Sequence, residues 1–213
     1  MTKTPQLIKM LYPGRIWEGP SGGRRLYLTF DDGPIPQVTP WVLETLRKYQ
    51  AKALFFCIGD NVRKYPEIFR RLISCGHGIG NHTFHHLKGW GCKDQYYIED
   101  VLKAQREFEK YLLNAQSYNS FAFRPPYGKM THSQAQELQK KGFKIIMWDI
   151  LTRDYREDLD PQEIFLRIKK HTRPGSILVF HDSLKAEKNL RAVLPLVLDH
   201  FTREGYEFDL LRL

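Results

Sequence analysis

The 213-residue sequence has little of what marks several common protein classes. Its three cysteines are an odd number with no pair at the spacing of a metal clip, which excludes a disulfide scaffold. No apolar run approaches the roughly 20 residues that a membrane-spanning helix needs. The first ten residues lack the sustained apolar stretch of a signal peptide. The chain as written is therefore expected in the cytoplasm, or outside it if a leader has been removed.

Acidic residues are also scarce relative to basic ones. The chain has 33 Lys and Arg against 24 Asp and Glu, a formal charge of +9. This excess favours peripheral contact with an anionic cell wall or membrane surface. The basic residues are scattered along predicted helices, and no nucleic-acid-binding motif accompanies them. We therefore expect a solvated basic surface, no nucleic-acid partner and no obligate protein partner.

What the sequence does contain is an alternation of short apolar runs and amphipathic stretches. The apolar runs predict strands, and apolar spacing near 3.6 predicts helices. Predicted strands cover residues 25–30, 53–58, 78–81, 121–123, 144–148, 176–180 and 207–210. Predicted helices cover residues 38–49, 66–75, 94–114, 133–141, 161–171 and 189–203. Thr39 and Asp160 are candidate helix caps, each directly before a proline.

This order of elements determines the predicted fold class. Repeated strand–helix alternation favours a parallel sheet. About seven such units in a chain of this length favour a closed α/β barrel over an open sheet. No linker, repeat or low-complexity tract divides the sequence, so residues 1–213 are predicted to form one domain.

Ionisable residues recur where the predicted strands end. In a parallel barrel these ends share one face, and the loops that leave them carry the functional groups. Such side chains follow five predicted strands: Asp31 and Asp32, then His82, His85 and His86, then Arg124, then Asp149 and Asp154, then His181 and Asp182. Their convergence on one face predicts a functional site.

The adjacent carboxylates of Asp31 and Asp32 end a β-rich run and precede a Gly-Pro turn. Two like charges side by side repel unless one is neutralised or bound. A metal ion would solve this, with one carboxylate as a ligand and the other left as a base. Ordinary turn chemistry explains the same residues as two solvated aspartates.

Three histidines lie within five residues, at His82, His85 and His86. A helical turn after the strand would put His82 and His86 on one face, and His85 offers the alternative spacing. Two imidazoles and a carboxylate suit Zn²⁺, and also Co²⁺, Ni²⁺ or Fe²⁺. A single loop histidine is usually only hydrogen-bonded, but three beside paired carboxylates predict a metal site.

Two further residues have both a structural and a functional interpretation. Arg124 precedes a stiff diproline, so it is either an exposed cation on a rigid loop or an arginine that orients a carboxylate bidentately. His181 follows the apolar run 177–180. It is either a hydrogen-bonded residue at the core edge or a proton donor near neutral pH.

Together these segments resemble the polysaccharide deacetylase family, also called the NodB-homology domain or carbohydrate esterase family 4. The resemblance covers about residues 25–211, with five motifs in the family's order. They are TFDDGP at 29–34, HTFHH at 82–86, RPPY at 124–127, DY at 154–155 and VFH at 179–181. The family fold is a distorted (β/α) barrel, usually of seven strands, so the resemblance implies one such domain over 1–213.

The resemblance implies a role for each motif residue. Asp31 would be the general base, held by Arg124, and His181 would be the general acid, tuned by Asp154. One divalent ion, Zn²⁺ before Co²⁺, Ni²⁺ or Fe²⁺, would bind to three implied ligands: Asp32, His82 and His86. The implied reaction is hydrolysis of an N-acetyl group on a sugar, with release of acetate.

The resemblance also implies a substrate site of five residues: Pro125, Tyr127, Trp148, Tyr155 and Val179. The backbone N–H of Tyr127 would help to bind the oxyanion. The family usually has tryptophan at the position of Tyr155, often aspartate at Leu151, and leucine at Val179, so these departures concern acyl size and pocket shape. Trp90, just after the histidine motif, is either a stacking surface for a sugar ring or part of the barrel rim.

The leading hypothesis is therefore a metal-dependent deacetylase of an N-acetylated glycan, of the peptidoglycan or chitin type. Three alternatives remain open at this point. The same scaffold serves O-acetyl esterases of the xylan type, and a deacylase of a lipid-linked sugar would suit the basic surface. A non-enzymatic carbohydrate-binding relic is disfavoured, because every implied catalytic position holds a suitable residue type.

Overall fold

The structure is a computed structural model that describes residues 2–112 and 121–212. Its strands are buried along most of their length, as parallel strands covered on both faces are. They are β1 (Arg25–Asp31), β2 (Ala53–Cys57), β3 (Gly78–Asn81), β4 (Ala122–Phe123), β5 (Lys144–Ile145), β6 (Ile150–Leu151), β7 (Ile177–His181) and β8 (Glu207–Phe208).

Helices follow most of the strands. They are α1 (Gln6–Leu11), α2 (Thr39–Lys48), α3 (Gly59–Lys64), α4 (Pro66–Ser74), α5 (Asp94–Leu112), α6 (His132–Lys140), α7 (Pro161–His171) and α8 (Glu187–Arg203), with one 3₁₀ turn at Pro126–Gly128. Among the described residues, no helix is long and apolar enough to cross a membrane.

The strands run parallel in the order β5-β4-β3-β2-β1-β7-β6, and β8 pairs with the start of β1. Residues alternate between the two faces of β1. Leu28 and Phe30 pack in the main core beneath the helices, whereas Tyr27 packs inside the barrel. The two-residue period therefore points Thr29 and Asp31 into the barrel interior.

The predicted distorted α/β barrel of parallel strands is confirmed, with one difference in how it closes. Within the described residues, no ladder joins β5 to β6. The N-terminal segment lies at this gap, where Ile16 pairs with Ile146 and Lys3 pairs with Ile150. Single bridges to that segment complete the barrel, in place of the continuous closure that the alternation predicted.

The predicted strand over 144–148 is wrong in its second half. The carbonyl groups of Ile146 and Met147 accept hydrogen bonds from the guanidinium of Arg124. Because these carbonyls turn into the barrel, the ladder with β4 stops at Ile145. The chain resumes at β6, a two-residue strand that is too short to show periodicity.

The predicted helices are all present, while α1 and α3 were missed because six residues are too few for a clear period. Residues 113 and 114, predicted to end the helix 94–114, lie outside the described residues. The cap predicted at Asp160 is confirmed, since its carboxylate accepts the N–H groups of Gln162 and Glu163. The cap predicted at Thr39 is wrong, because its hydroxyl donates to Asp182.

Candidate active site

Most of the residues predicted from strand ends meet at one cavity of about 620 Å³. Nine of them line it: Asp31, Asp32, His82, His86, Tyr127, Trp148, Tyr155, Val179 and His181. Arg124 and Asp154 are fully buried behind this lining. Pro125 is also buried and does not line the cavity, which speaks against the substrate contact implied for it.

Asp32, His82 and His86 form a three-residue cluster. Nε2 of His86 lies 3.3 Å from Oδ1 of Asp32, and Nε2 of His82 lies 3.8 Å from the same oxygen. All three donor atoms lie within 4.8 Å of one another. Two ligands at tetrahedral Zn²⁺ distances stand roughly 3.3 Å apart. The spacing therefore fits one divalent ion.

A backbone carbonyl sets the tautomer of His82. Nδ1 of this ring lies 2.7 Å from the carbonyl oxygen of Arg124. Because a carbonyl only accepts, Nδ1 carries the proton and Nε2 keeps its lone pair on the side of Asp32. Burial of the ring lowers the pKa of His82 to about 4. A neutral imidazole whose outer N–H is anchored is suited to binding a metal.

The Asp32 carboxylate is ionised in this cluster. Burial acts to raise its pKa, but a hydrogen bond with His86 and the nearby rings of His181 and His82 hold the pKa well below its ordinary value. The cluster therefore combines one anionic oxygen with imidazole nitrogens. This donor set suits Zn²⁺ and its first-row neighbours.

The loop that carries the histidines is not the predicted helical turn. Thr83 and His86 adopt left-handed conformations, with φ of 64° and 57°. Asp100 of α5 holds the loop by accepting the N–H groups of Phe84 and His85 at 2.8 and 3.0 Å. The ring of His85 also bonds to Asp100 and lies outside the metal cluster, so the alternative ligand is not supported.

Arg124 is buried inside the barrel, so the exposed cation considered from the sequence is wrong. Its Nη1 donates to Oδ1 of Asp31 and to Oγ1 of Thr29, both at 2.7 Å. Nε and Nη2 donate to the carbonyls of Ile146 and Met147. Only Nη1 bonds to Asp31, so this pair is monodentate and the predicted bidentate pair is wrong.

His181 pairs with a buried carboxylate. Its Nδ1 lies 2.8 Å from Oδ1 of Asp154, and its backbone N–H donates to Oδ2 at 2.8 Å. Burial acts to lower the pKa of His181, but the Asp154 charge and hydrogen bond raise it to about 9. The ring is therefore protonated at neutral pH. In the sheet, His181 stands directly beside Asp31.

Two further residues hold the Asp31-Asp32 loop: Asp182, which the sequence marked only as a strand-end residue without a role, and Asn61, which sequence reasoning missed. Asp182 accepts the N–H of Gly33 at 3.0 Å, and a Cβ at Gly33 would lie 2.0 Å from the Asp182 carboxylate. Asn61 donates to the carbonyl of Asp32 at 2.8 Å. The only signal in the sequence is a polar residue near a strand end.

The positions where this chain departs from the family pattern lie together. Leu151, Tyr155 and Val179 all line the cavity, and the ring of Tyr155 packs edge-on against His181 with centroids 4.9 Å apart. Trp90 is 52% exposed and lies outside this lining, with its Nε1 donating to the carbonyl of Met130. The departures therefore shape the wall of the cavity beside His181.

Comparison with known proteins gives consistent matches. The polysaccharide deacetylase family profile matches residues 18–146, a range that includes the metal cluster and ends before Asp154 and His181. The chain is 32% identical over 194 residues to a peptidoglycan-N-acetylglucosamine deacetylase of Bacillus cereus, covering 90% of this chain and 88% of that protein. It is 36% identical over 178 residues to a chitooligosaccharide deacetylase of Bradyrhizobium sp., covering 83% and 79%.

A longer relative and a solved structure agree with these matches. The peptidoglycan-N-acetylglucosamine deacetylase PgdA of Listeria monocytogenes is 32% identical, but the chain spans only 37% of its length. The Bc1960 peptidoglycan N-acetylglucosamine deacetylase, solved with 4-naphthalen-1-yl-N-oxidanyl-benzamide, superposes with a TM-score of 0.87 at 27% identity. The superposition covers 98% of this chain and 95% of that one.

Proposed function

Since the chain belongs to the polysaccharide deacetylase family, we propose that it hydrolyses the N-acetyl group of an N-acetylglucosamine-containing glycan and releases acetate. Relatives named for this activity cover most of the chain. One observation carries the proposal: a single cavity joins an arginine-held carboxylate, a protonated histidine and a three-residue metal cluster.

One divalent ion, Zn²⁺ in this proposal, would be held by Asp32, His82 and His86. The ion supplies Lewis acidity when bound, polarising the acetyl carbonyl and lowering the pKa of a water molecule. Three protein ligands leave open positions for water and substrate, as in other catalytic zinc sites. The anchored, neutral His82 and the ionised Asp32 support this assignment.

Two residues beside the cluster carry out the proton transfers, Asp31 as the base and His181 as the acid. Asp31 accepts a proton from the attacking water, while Arg124 fixes the position of its carboxylate. As the water oxygen bonds to the acetyl carbon, the carbonyl oxygen becomes an oxyanion, which the backbone N–H of Tyr127 would stabilise. His181 then donates a proton to the sugar nitrogen, the C–N bond breaks, and acetate departs.

The protonated state of His181 also supports an amide substrate over an ester. An amine leaves only when its nitrogen has been protonated, whereas an alcohol depends less on a strong acid. Asp154 keeps His181 charged at neutral pH. We therefore place N-deacetylation ahead of O-acetyl esterase activity.

Acetate release from N-acetylglucosamine oligomers tests the proposal. We expect a chelator to abolish release and Zn²⁺ to restore it, because the cluster would lose its ion. We expect Asp31→Asn to lower kcat by about 10²–10⁴, the usual contribution of a general base. Asp199→Asn, an exposed change on α8, is the matched control. Acetate release that survives both chelation and Asp31→Asn would contradict the proposal.

A further inference from the structure

Two lysines, Lys129 and Lys185, stand among the residues that line the active-site cavity. Lys129 follows the 3₁₀ turn after β4, and Lys185 lies between β7 and α8. Three strands separate β4 from β7 in the sheet, so the two ammonium groups reach the cavity from different sides. The acidic residues of the lining are Asp31 and Asp32, both already engaged by Arg124 and the histidines.

Neither lysine is neutralised within the part of the chain that the structure describes. No ion pair or hydrogen bond there uses the Nζ atom of Lys129 or of Lys185. Some lysines elsewhere on the surface do have a partner, as Lys64 has in Asp60 at 2.5 Å; what distinguishes Lys129 and Lys185 is that they line the cavity. The cavity therefore presents two positive charges that have no acidic partner among residues 2–112 and 121–212.

Exposed aromatic rings flank Lys129. Tyr127 is 62% exposed and packs against His86 with ring centroids 4.7 Å apart. Trp90 is 52% exposed, and its ring is fixed by the 3.1 Å hydrogen bond to the carbonyl of Met130. Nζ of Lys129 lies 5.2 Å from the centroid of the Trp90 ring. Fixed, exposed rings offer apolar faces to a sugar, so a sugar bound here would place its substituents beside an ammonium group.

We propose that Lys129 and Lys185 bind carboxylate groups carried by the glycan, and so make the protein selective for N-acetylated glycans that bear carboxylates over neutral ones. This inference rests on the proposed function for the identity of the substrate as a glycan. A neutral N-acetylglucosamine oligomer has no anionic group to pair with either lysine. A glycan whose neighbouring sugars carry carboxylates pairs with both.

The expected selectivity is modest, because both pairs are near solvent. One exposed ammonium–carboxylate pair changes affinity by about threefold, so two pairs together give about tenfold. Added salt screens such pairs. The selectivity should therefore decrease between low and high ionic strength, while binding of a neutral glycan stays constant.

A matched pair of ligands isolates the charge. The first is an N-acetylated tetrasaccharide with a lactyl ether carboxylate on alternate sugars, and the second is the same molecule with each carboxylate converted to a methyl amide. Calorimetry on the metal-free protein measures both dissociation constants without turnover. We expect the carboxylate form to bind about tenfold more tightly, and the Lys129→Gln, Lys185→Gln double variant to bind both forms equally.

Two control variants complete the design. The Lys129→Arg, Lys185→Arg double variant retains the charge and should retain the tenfold preference, as should Lys48→Gln, an exposed change on α2. Equal binding of both forms by the unmodified protein, or an unchanged preference in the double glutamine variant, would overturn the inference. Acetate release from neutral N-acetylglucosamine tetramer by the Zn²⁺-loaded protein is scored separately, so failure of the proposed function is distinguishable.

Discussion

His82 and His181 line the same cavity, yet they hold opposite charge states; the side chain of His82 is 2% exposed and that of His181 is 14% exposed. Nδ1 of each ring has one hydrogen-bond partner, a backbone carbonyl for His82 and the Asp154 carboxylate for His181. Burial lowers the pKa of the first to about 4. Against the same effect, Asp154 raises the pKa of the second to about 9. The charge of the partner therefore decides whether the ring is neutral, as a metal ligand has to be, or protonated, as a general acid has to be.

The buried aspartates Asp154 and Asp182 also differ in the charge of their partners. Asp154 faces the imidazolium of His181, whereas Asp182 faces only the hydroxyl of Thr39 and the N–H of Gly33. Burial, with the nearby charge of Asp32, raises the pKa of Asp182 to about 8, although both hydrogen bonds oppose this. A carboxyl group without a cationic partner is thus protonated at neutral pH and acts as a structural support.

Replacing Asp154 by asparagine removes the charge that distinguishes His181 from His82. This change should have the largest effect on acetate release. The amide can still accept the N–H of His181, but its NH₂ group would face Nδ1 and favour the wrong tautomer. We expect kcat to fall by about 10²–10⁴. The alkaline limb of the pH–rate profile should move to lower pH, because the pKa of His181 falls.

The pH–rate profile of acetate release measures this change. Asp158→Asn, an exposed change in the same loop, is the matched control and should leave the profile unchanged. An Asp154→Asn variant with the profile of the unmodified protein would show that Asp154 does not set the charge of His181.

The loop that carries the proposed ligands His82 and His86 depends on Asp100. Replacing Asp100 should have a smaller effect than replacing Asp154. Asp100→Asn weakens the contacts that hold the loop between His82 and His86. Residues that orient metal ligands typically contribute 10–100-fold in metal affinity, so we expect Zn²⁺ to bind about 10–100-fold more weakly. Competition with a chromogenic chelator measures the affinity. Unaltered affinity would show that the loop keeps its shape without Asp100.

The last expected effect is on stability and not on activity. The folded state raises the pKa of His181 from an ordinary value of 6.5 to about 9, so the protonated ring favours folding. This contribution is complete below pH 6.5 and is lost as the pH rises through 9. Denaturant unfolding of the metal-free protein between pH 6 and 10 should show a decrease in the free energy of unfolding that is smaller in Asp154→Asn. Parallel curves for the two proteins would argue against this linkage.

Much of the fold could be predicted because its signals are local. The apolar runs of β1, β2, β3 and β7 and the periodicity of α5 and α8 are each visible in a short window. The closure at β5 and β6 could not be predicted, since it depends on Arg124 drawing two backbone carbonyls inward. That contact joins residues more than twenty positions apart.

The site residues could be found as residue types at strand ends, but their geometry could not. Five of the six described non-glycine residues with positive φ belong to these loops: Asp32, Thr83, His86, Tyr127 and Arg153. Such conformations cost energy and persist only where surrounding contacts impose them. In the loops of Asp32, Thr83 and His86 such contacts come from Asp100, Asn61 and Asp182, for none of which the sequence indicated this role.

The central claim is that His82 binds the metal and that His181 is the general acid. Zinc content and acetate release, measured on the same preparations of His82→Ala and His181→Ala, test it most directly. The account predicts that His82→Ala loses both the metal and the activity. It predicts that His181→Ala keeps a full equivalent of zinc while its acetate release falls by about 10²–10⁴. Loss of zinc from His181→Ala, or full zinc in His82→Ala, would contradict it.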